Sequence, residues 1–382
     1  MKKLALISSS DLKYYGGGEK DIIGLANMLC NSYNITLFYP EGKENLRVNI
    51  DYIKKILNKK IKLSEYKCFE LNSSKDLVPL NLKGIKFLLS LKKFNVIYSM
   101  SQSIILNTFI LHVSKHWGVR FIFGIHTPYF FRTGPIKPNF FKKYAIGYYS
   151  NLRSHFITNL ENIRIQNSTD EELLKQFGYS GKIYNIPPHI FDKEPEKVFT
   201  NKKEFIVLFV GRLSIEQKGI DLLKNIIEST LQKSNRIKFY IVGSGEDGEN
   251  IVKTLVAKYR NNVKWFGFVS DKELKSLYNK SSLFIFPSRG ENFGISLGEA
   301  QTYGLPAVAY NVMGSKDILN KNFLGALIKP FNIDKFANKI IEYYFIWKKN
   351  PSQYKYLKNK IKNYTVYMYN NKAFIKEMKK ML

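Results

Sequence analysis

Two glutamates, Glu291 and Glu299, combine a residue type and a spacing that suit the binding of hydroxyl groups. Glu291 lies in a Gly-containing loop after the apolar run Leu283–Phe286, and Glu299 lies in the first turns of a predicted helix. A carboxylate accepts paired hydrogen bonds from vicinal hydroxyls, so two of them can hold two sugar rings, such as a hexose and a ribose. A hydrolase pair of acid and nucleophile fits less well, because nothing in the sequence indicates a raised pKa for either carboxyl. Two surface glutamates are the other alternative.

Between these glutamates, the turn Asn292-Phe293-Gly294-Ile295 is predicted to present backbone N–H groups to the same ligand.

Two cations precede this turn in the chain. Arg212 and Lys218 fall in one loop between the apolar run Phe205–Val210 and a helix that starts near Ile220. Two cations and a helix amino terminus can converge on a diphosphate. The loop is not a Walker loop, because the Gly-Lys-Ser/Thr ending is absent; a pair of solvated charges is the alternative.

Two glycine-rich loops also suit a close approach of the backbone to a ligand. Gly16 and Gly17 follow the first apolar run and open a predicted helix, where an anion can bind, although an ordinary flexible turn is the alternative. Gly243 begins a run that matches the dinucleotide fingerprint literally. Glu246 and Asp247 in that run would repel a pyrophosphate, so we exclude NAD and FAD and interpret the loop as a tight turn lining a cleft.

Short apolar runs that alternate with amphipathic stretches must position these residues. This pattern predicts an α/β protein with two doubly wound parallel sheets in succession. In such folds a ligand binds at the carboxyl ends of the strands, which we expect to face the cleft between the domains. The predicted strands are Leu4–Ser8, Ile35–Tyr39, Val96–Tyr98, Val119–Ile125, His155–Thr158, Phe205–Val210, Lys238–Val242, Val263–Phe266, Leu283–Phe286 and Ala307–Ala309.

The domain boundaries follow from the same alternation. Residues 1–191 are predicted to form an amino-terminal domain, and the polar stretch 192–204 a linker. Residues 205–350 are predicted to form the second domain. The Lys-rich stretch 351–382 has a helical period, and we expect it to pack back on the first domain, with a solvated end as the alternative.

Taken in order, the motifs resemble those of the retaining glycosyltransferases of family four, which have the GT-B fold of two Rossmann-like domains facing a central cleft. The resemblance covers nearly the whole chain. It rests on the Gly-Gly-x-Glu loop at Gly16, the His after Phe121–Ile125, the Gly-Arg-Leu…Lys-Gly loop and the Glu-x-Phe-Gly…Glu-Ala segment. The chain departs from the family pattern at Ile186–Asp192, where Pro-Asn-Gly-Val-Asp is usual, and at Asp317, where Glu is common.

The resemblance implies that the domain 1–191 is on the acceptor side and that the domain 205–350 binds the nucleotide sugar. It also implies a role for each matching residue. Arg212 and Lys218 would bind the donor diphosphate, Glu291 the hydroxyls of the transferred sugar, and Glu299 the nucleotide ribose. His126 would lie beside the reacting centre as a positioning group, with a satisfied core histidine as the alternative. Other residues implied in donor binding are Gly16, Gly17, Gly243, Phe268, Asn292, Phe293, Gly294 and Ile295.

The reaction implied by the resemblance moves a hexose from a UDP- or GDP-linked donor to an acceptor hydroxyl, with retention of configuration. We expect no cofactor and no metal, because fixed cations are available, the five His are scattered and no Asp-x-Asp occurs. A sugar-nucleotide 2-epimerase on the same fold is one alternative. A basic protein that binds nucleic acid or a membrane surface without catalysis is another.

Composition excludes several classes of protein. The 382 residues are 45% hydrophobic and 24% charged, which excludes a disordered chain, and two Cys exclude a disulfide scaffold. We therefore expect a cytoplasmic protein with no leader or spanning segment. Lys and Arg number 60 against 31 Asp and Glu, a net charge of +29 that either compositional bias or a selected basic surface explains. No nucleic-acid-binding signature accompanies the charge, so we expect no nucleic-acid partner.

The acceptor is indicated less directly. Residues Phe130–Phe156 combine basic and aromatic side chains with no acidic one. Such a surface suits an anionic membrane, so we expect an acceptor that is a glycan, a lipid-linked sugar or a glycoprotein, with the enzyme at the inner face of the membrane. A helix whose aromatic residues fill the core is the alternative.

Overall fold

The computed structural model describes residues 1–8, 10–42, 48–71, 76–126, 151–190 and 203–382. The chain forms two compact units. The first unit comprises Met1–His189 together with Asn371–Leu382, and the second comprises Ile190–Asn370. The predicted linker 192–204 lies outside the described residues, apart from Lys203 and Glu204.

A parallel seven-stranded sheet with the order β3-β2-β1-β6-β7-β8-β9 forms the centre of the first unit. Strand β1 is buried from Leu4 to Ile7, as expected for a parallel strand covered on both faces. Strands β4 and β5 form a separate antiparallel hairpin. In chain order, β1 to β9 are Lys2–Ile7, Tyr33–Pro40, Lys62–Tyr66, Phe69–Leu71, Asp76–Val78, Val96–Ser99, Arg120–Gly124, Asn162–Ile165 and Lys182–Asn185.

Helices flank this sheet, and several begin at a side-chain cap. Ser103, for example, accepts the backbone N–H of Leu106 at the start of α4. Short 3₁₀ turns occur at Leu12–Tyr14 and Leu91–Lys93. The helices α1 to α6 are Gly17–Leu29, Ile50–Ile56, Leu82–Ser90, Ile104–His116, 151–158 and Ser168–Gln176.

The second unit repeats the architecture with a parallel six-stranded sheet of order β12-β11-β10-β13-β14-β15. Strands β10 to β15 are Phe205–Val210, Ile237–Val242, Val263–Trp265, Leu283–Phe286, Ala307–Tyr310 and Gly325–Ile328. Helices α7 to α14 are Ile215–Lys218, Ile220–Lys233, Glu246–Lys258, Asp271–Lys280, Ile295–Thr302, Ser315–Ile318, Ile333–Lys349 and Pro351–Met368. The prediction of an α/β protein with two doubly wound parallel sheets is confirmed.

One predicted strand, His155–Thr158, is wrong. These residues belong to α5, and the strand β8 follows at Asn162–Ile165. The β-branched and aromatic residues favoured a strand, but Phe156 and Ile157 are buried against the core of the first unit in a helical conformation. The hydroxyl of Thr158 donates to the carbonyl of Ser154 at 3.0 Å, a bond within the helix.

The carboxy-terminal stretch 351–382 is divided between the units. Helix α14 belongs to the second unit, where the Tyr354 hydroxyl donates to the carbonyl of Ser282 at 2.7 Å. The final helix, α15 (Asn371–Met381), belongs to the first unit. Its residues Phe374, Met378 and Met381 recur at helical spacing and are buried in the core around β1. Among the helices described, none combines the length and the apolar character that crossing a bilayer requires.

Candidate functional site

Four of the predicted site residues follow neighbouring strands of the second sheet. Phe268 follows β12, Gly243 follows β11, Arg212 follows β10 and Glu291 follows β13, and these strands are adjacent in that order. From β10 the chain continues to β11 on one side and later returns as β13 on the other. Arg212 and Glu291 therefore flank the point where the strand order reverses, which is where doubly wound sheets bind ligands.

An ion pair joins two of the predicted residues. Nζ of Lys218 donates to Oε1 of Glu291, and the two side chains are 14% and 10% exposed. Nε2 of Gln217 lies 3.4 Å from the same carboxylate oxygen. The Gln217 Oε1 in turn accepts a hydrogen bond of 2.6 Å from Nη2 of Arg212. Arg212, Lys218 and Glu291 thus form one hydrogen-bonded group, which Gln217 links.

A second ion pair holds the loop that carries these cations. Arg289 donates to both carboxylate oxygens of Asp221 at 2.6 Å, and its Nη1 donates to the carbonyl of Ile215 at 2.5 Å. The hydrogen bonds from Arg289 lower the pKa of Asp221 and keep the pair ionised. Gly219, with φ of 67°, ends α7 and begins α8. A Cβ at Gly219 would lie 2.5 Å from the carbonyl oxygen of Pro287, so the two loops meet where only glycine fits.

The turn after Glu291 ends at the amino terminus of α11. Gly294 precedes this helix with φ of 97°, a left-handed conformation that favours glycine. The side chains of Asn292 and Phe293 are buried, so the turn is anchored in the core. The first N–H groups of a helix have no intrahelical partner, so those of Ile295 and the next residue are available to an anion.

Glu299 lies further along α11 and is oriented by a buried tyrosine. The Tyr278 hydroxyl donates to Oε2 of Glu299 at 2.9 Å. Burial, and then the charge of Glu299, raise the pKa of Tyr278 well above its usual value, so the hydroxyl remains a donor. The ring of Tyr303 stacks on Tyr278 with centroids 5.2 Å apart, which fixes the ring that carries this hydroxyl.

Gly243 contacts the backbone beside Arg212. Its φ is 130°, and a Cβ there would lie 1.8 Å from the carbonyl oxygen of Gly211. The N–H of Gly243 donates to the carbonyl of Gly267 at 2.8 Å, which ties this turn to the one that carries Phe268. The Phe268 ring is 49% exposed. Gly243 therefore allows the turns after β10, β11 and β12 to approach one another.

His126 belongs to a separate polar cluster in the first unit. Its Nε2 lies 2.7 Å from the Tyr98 hydroxyl and its Nδ1 lies 2.7 Å from Nε2 of Gln166, and the side chain is 5% exposed. Burial, and then the charge of Arg164, lower the pKa of His126 well below its usual value. The imidazole is therefore neutral. Because Gln166 donates to Nδ1, the proton lies on Nε2 and is directed at Tyr98.

Arg164 is the fully buried cation of this cluster. It donates to the Tyr98 hydroxyl at 2.9 Å and to the carbonyls of Ile186 and Pro187 at 3.0 and 2.9 Å. Its Nη1 lies 3.8 Å from Oδ2 of Asp21. Arg164 thus connects β8, on which it lies, with β6, α1 and the segment that follows β9.

Asp21 completes the first-unit cluster. Burial raises the pKa of its carboxyl, while the charge of Arg164 and the N–H of His189 oppose that shift. The His189 N–H donates to Oδ1 at 2.9 Å, and Nε2 of Gln166 lies 3.4 Å from Oδ2. Residues from five parts of the unit therefore hold the His126 ring in one orientation.

The predicted glycine loop is capped by its own helix. The N–H of Gly16 donates to Oε2 of Glu19 at 2.7 Å, and the Ser10 hydroxyl donates to the other carboxylate oxygen. Helix α1 begins at Gly17, whose N–H lies outside the intrahelical ladder. The amide of Gly17 is thus better placed than that of Gly16 to meet an anion.

The structure shows which predicted residues share a cluster. Arg212, Lys218 and Glu291 share one, whereas Glu299 is held separately by Tyr278, and the roles of all four remain predictions. Gly16, Gly17 and His126 lie in the first unit. The basic aromatic segment 130–156 lies outside the described residues, apart from positions 151–156.

Sequence reasoning missed Gln217, Arg289, Tyr278 and Gln166. Arg289 and Gln217 lie inside the recognised motifs, and their polar side chains were the available signal. Tyr278 and Gln166 carry no local signal, because each lies in an element distant in sequence from its partner. Among the described residues, no group of three or more His, Cys, Asp or Glu side chains could hold a metal ion.

Two Rossmann-like units with a charged cluster at the strand-order reversal of the second define a GT-B type of α/β protein. A crystal structure of HepE from Anabaena in complex with UDP superposes with a TM-score of 0.76 at 15% identity, over 100% of this chain and 99% of that one. Residues 190–364 match the family described as Glycosyl transferases group 1. This part of the chain therefore resembles a glycosyl transferases group 1 domain, and the GT-B fold that the motifs imply is confirmed.

Curated relatives match over shorter stretches. An uncharacterized 41.2 kDa protein in the cps region of Klebsiella pneumoniae is 34% identical over 141 residues, which are 37% of this chain and 36% of that protein. A poly(ribitol-phosphate) alpha-N-acetylglucosaminyltransferase of Staphylococcus aureus is 29% identical over 188 residues, 49% of this chain and 35% of that protein. The chain spans about a third of the length of these relatives.

Proposed function

We propose that the protein is a glycosyltransferase that moves a hexose from a UDP- or GDP-linked donor to an acceptor hydroxyl, in the synthesis of a surface or lipid-linked glycan. One observation carries the proposal. Arg212, Lys218 and Glu291 form a single hydrogen-bonded group at the strand-order reversal of a group 1 domain. The name of the Staphylococcus relative, an N-acetylglucosaminyltransferase acting on a poly(ribitol-phosphate), supports a glycan acceptor.

The cations would act on the leaving group. As the bond to the sugar breaks, negative charge grows on the diphosphate and positive charge on the sugar ring. Arg212 and Lys218, held in advance by Gln217 and Glu291, stabilise that developing charge without reorganising solvent. An interaction that strengthens in the transition state lowers the barrier, which is the requirement for catalysis.

The ion pair between Lys218 and Glu291 prepares both groups for the donor. Without ligand, each charge neutralises the other at low exposure. When the donor binds, the ammonium turns to the diphosphate and the carboxylate accepts hydroxyl groups of the sugar. Both side chains are long and remain partly exposed, so this exchange of partners requires no backbone movement.

Retention of configuration and independence from metal are part of the proposal. With two cations and a helix amino terminus, the protein supplies the positive charge that a divalent ion supplies in other sites. The neutral His126 would position groups near the reacting centre, since both of its nitrogens are already hydrogen-bonded. We expect full turnover in excess EDTA, and we expect NMR to show the same anomeric configuration in the donor and in the product. Loss of turnover in EDTA, or a product with the inverted anomeric configuration, would overturn this part of the proposal.

The location of the protein is also proposed. Cys30 and Cys68 are free thiols, which suits the reducing cytoplasm. A lipid-linked acceptor would bring the protein to the inner face of the membrane, where it would make a peripheral contact with anionic lipid.

The experiment that tests the proposal uses a panel of labelled sugar nucleotides with and without glycan and lipid-linked acceptors. Release of nucleoside diphosphate that depends on an acceptor supports transfer. An altered sugar formed without any acceptor would instead indicate the 2-epimerase. Failure of every donor to bind would favour the alternative of a basic protein without catalytic activity and would contradict the proposal.

A further inference from the structure

An apolar surface on the first unit takes no part in the site described above. The described residues include 13 exposed large apolar side chains, and six of these fall within 21 positions of the first unit. Scattered exposed apolar residues are normal, but a concentration in one segment indicates an interaction surface. The six are Phe69 (59% exposed), Leu71 (38%), Leu80 (61%), Leu82 (78%), Ile85 (42%) and Leu89 (50%), which we call the 69–89 surface.

Helix α3 is apolar on two opposite sides. Phe87 and Leu88 are buried in the core of the first unit. Leu82, Ile85 and Leu89 have the spacing i, i+3 and i+7, so they form one stripe along the outer side of the helix. One apolar side of α3 thus packs in the core of the first unit, while the other apolar side faces solvent.

The hairpin that precedes α3 also carries exposed apolar residues. All three residues of β4 are exposed, and Phe69 and Leu71, two positions apart, lie on the same face of the strand. The turn leaving the hairpin packs against α3, because a Cβ at Gly84 would lie 2.8 Å from the Cα of Pro79. The apolar residues of the hairpin and of the helix therefore follow one another along a short segment of the chain, whose two elements are joined beside Gly84.

The charges on α3 and on the turn that follows it are of one sign. Between positions 77 and 93 the chain has no acidic residue, and its four lysines, Lys83, Lys86, Lys92 and Lys93, are all exposed. Lys86 lies on the same side of α3 as Ile85 and Leu89, by its helical position. Glu70 is the acidic residue nearest the apolar residues of the hairpin, and it alternates with them along β4.

We propose that the 69–89 surface docks on the surface of an anionic lipid bilayer. Aliphatic side chains at helical spacing enter the boundary between headgroups and acyl chains, while flanking lysines contact lipid phosphates. Nucleic acid is a poorer match, because the surface offers aliphatic side chains and a single aromatic ring for base stacking. This inference specifies which residues make the membrane contact proposed above. It rests on the proposed function only for the biological reason for that contact.

The test measures binding of the full chain to sedimented vesicles, without donor or acceptor. Vesicles of phosphatidylglycerol with phosphatidylcholine are compared with phosphatidylcholine alone. The stripe variant is L82S/I85S/L89S, and the lysine variant is K83Q/K86Q. Matched controls alter exposed apolar residues of the second unit, F345S/Y356S, and exposed lysines of α15, K372Q/K376Q.

We expect binding to the anionic vesicles alone, weakened at least about 100-fold in the stripe variant and about 20-fold in the lysine variant. The controls should bind as the wild type does. An independent reporter, I85W, should be quenched by brominated lipid, which keeps the proposal testable if the stripe variant does not fold. Unaltered binding of the stripe variant, or a wild-type dimer that this variant converts to monomer, would overturn the proposal. Because no sugar nucleotide is present, the result is independent of the glycosyltransferase assay.

Discussion

The polar clusters of the two units hold their charges in different ways. In the second unit, Arg212, Lys218 and Glu291 are joined through side chains alone, and Lys218 and Glu291 are 14% and 10% exposed. In the first unit, Arg164 is 0% exposed and donates to two backbone carbonyls as well as to Tyr98. One cluster can exchange its internal partners for a ligand, whereas the other is closed.

This difference indicates that the second-unit cluster is suited to binding a ligand, whereas the first-unit cluster is suited to holding His126 in a fixed position. The Lys218–Glu291 pair is partly accessible, and a diphosphate and a sugar would each replace the partner that one side chain loses, which would offset the cost of separating the pair. A buried cation that loses its partners costs several kcal/mol, so we expect the network around Arg164 to stay intact when a ligand binds. We therefore expect substitutions in the second unit to change catalysis and those in the first to change stability.

Arg164→Met should have the largest effect on stability. It leaves the carboxyl of Asp21 buried without its cation, which is expected to lower the free energy of unfolding by about 3–5 kcal/mol. Urea denaturation of the full chain measures this loss. Arg120→Met is the matched control, since Arg120 is exposed and makes two long hydrogen bonds of 3.4 and 3.2 Å. Equal losses for the two variants would remove the distinction between the clusters.

Lys218→Ala should lower turnover by about 100- to 1,000-fold, since a lost preorganised charge contact raises the barrier by roughly 3–4 kcal/mol. Arg212→Ala should act in the same direction. Acceptor-dependent release of nucleoside diphosphate measures the rate, and the melting temperature should change little. Lys224→Ala, which breaks an ion pair with Glu228 on α8, is the control. Near-native rates in both variants would show that Arg212 and Lys218 do not contribute to catalysis.

The neutral state of His126 predicts a pH dependence of stability. Its pKa in the folded protein is lowered, so the unfolded chain binds a proton below about pH 6.5 that the folded protein does not. The free energy of unfolding should therefore fall as the pH decreases from about 6.5, by up to ~1.4 kcal/mol per pH unit for this residue. His126→Gln should remove that part of the slope. An identical slope in the variant, or an imidazolium signal for His126 by ¹⁵N NMR at pH 6, would contradict the closed network.

Tyr278→Phe should have the smallest effect. It removes the hydrogen bond that orients Glu299, and the affinity for a nucleoside diphosphate should fall by about 3- to 10-fold, or about 1 kcal/mol. Glu299→Ala should weaken binding further. Calorimetric titration measures both, with Tyr303→Phe as the control, because that ring stacks without contributing the hydrogen bond. Unchanged affinity in Glu299→Ala would exclude its contact with the ribose.

Central strands were predictable because both of their faces are buried. β10 and β13 were predicted at their observed bounds, since each is a continuous apolar run. The outer strands β3 and β9 were missed, because they are half-exposed and carry polar residues. Local composition did not distinguish the helix at 151–158 from a strand, because the tertiary contacts of Phe156 and Ile157 decided the conformation.

The second-unit cluster was more predictable than the first. Arg212, Lys218 and Glu291 occupy loops that follow adjacent strands, so local motifs and the rules of the fold bring them together. The hydrogen-bond partners of His126 are Tyr98, on β6, and Gln166, which follows β8. No local spacing relates these positions, so the orientation and charge state of His126 required the structure.

The measurement closest to the central claim is the affinity of the full chain for a panel of sugar nucleotides, in the wild type and in R212A/K218A. We predict that one sugar nucleotide binds the wild type and that its affinity falls by more than about 100-fold in the double variant. K224A/K233A, which alters two lysines of α8, should bind as the wild type does. Equal affinity in R212A/K218A and the wild type would show that these cations do not hold the donor.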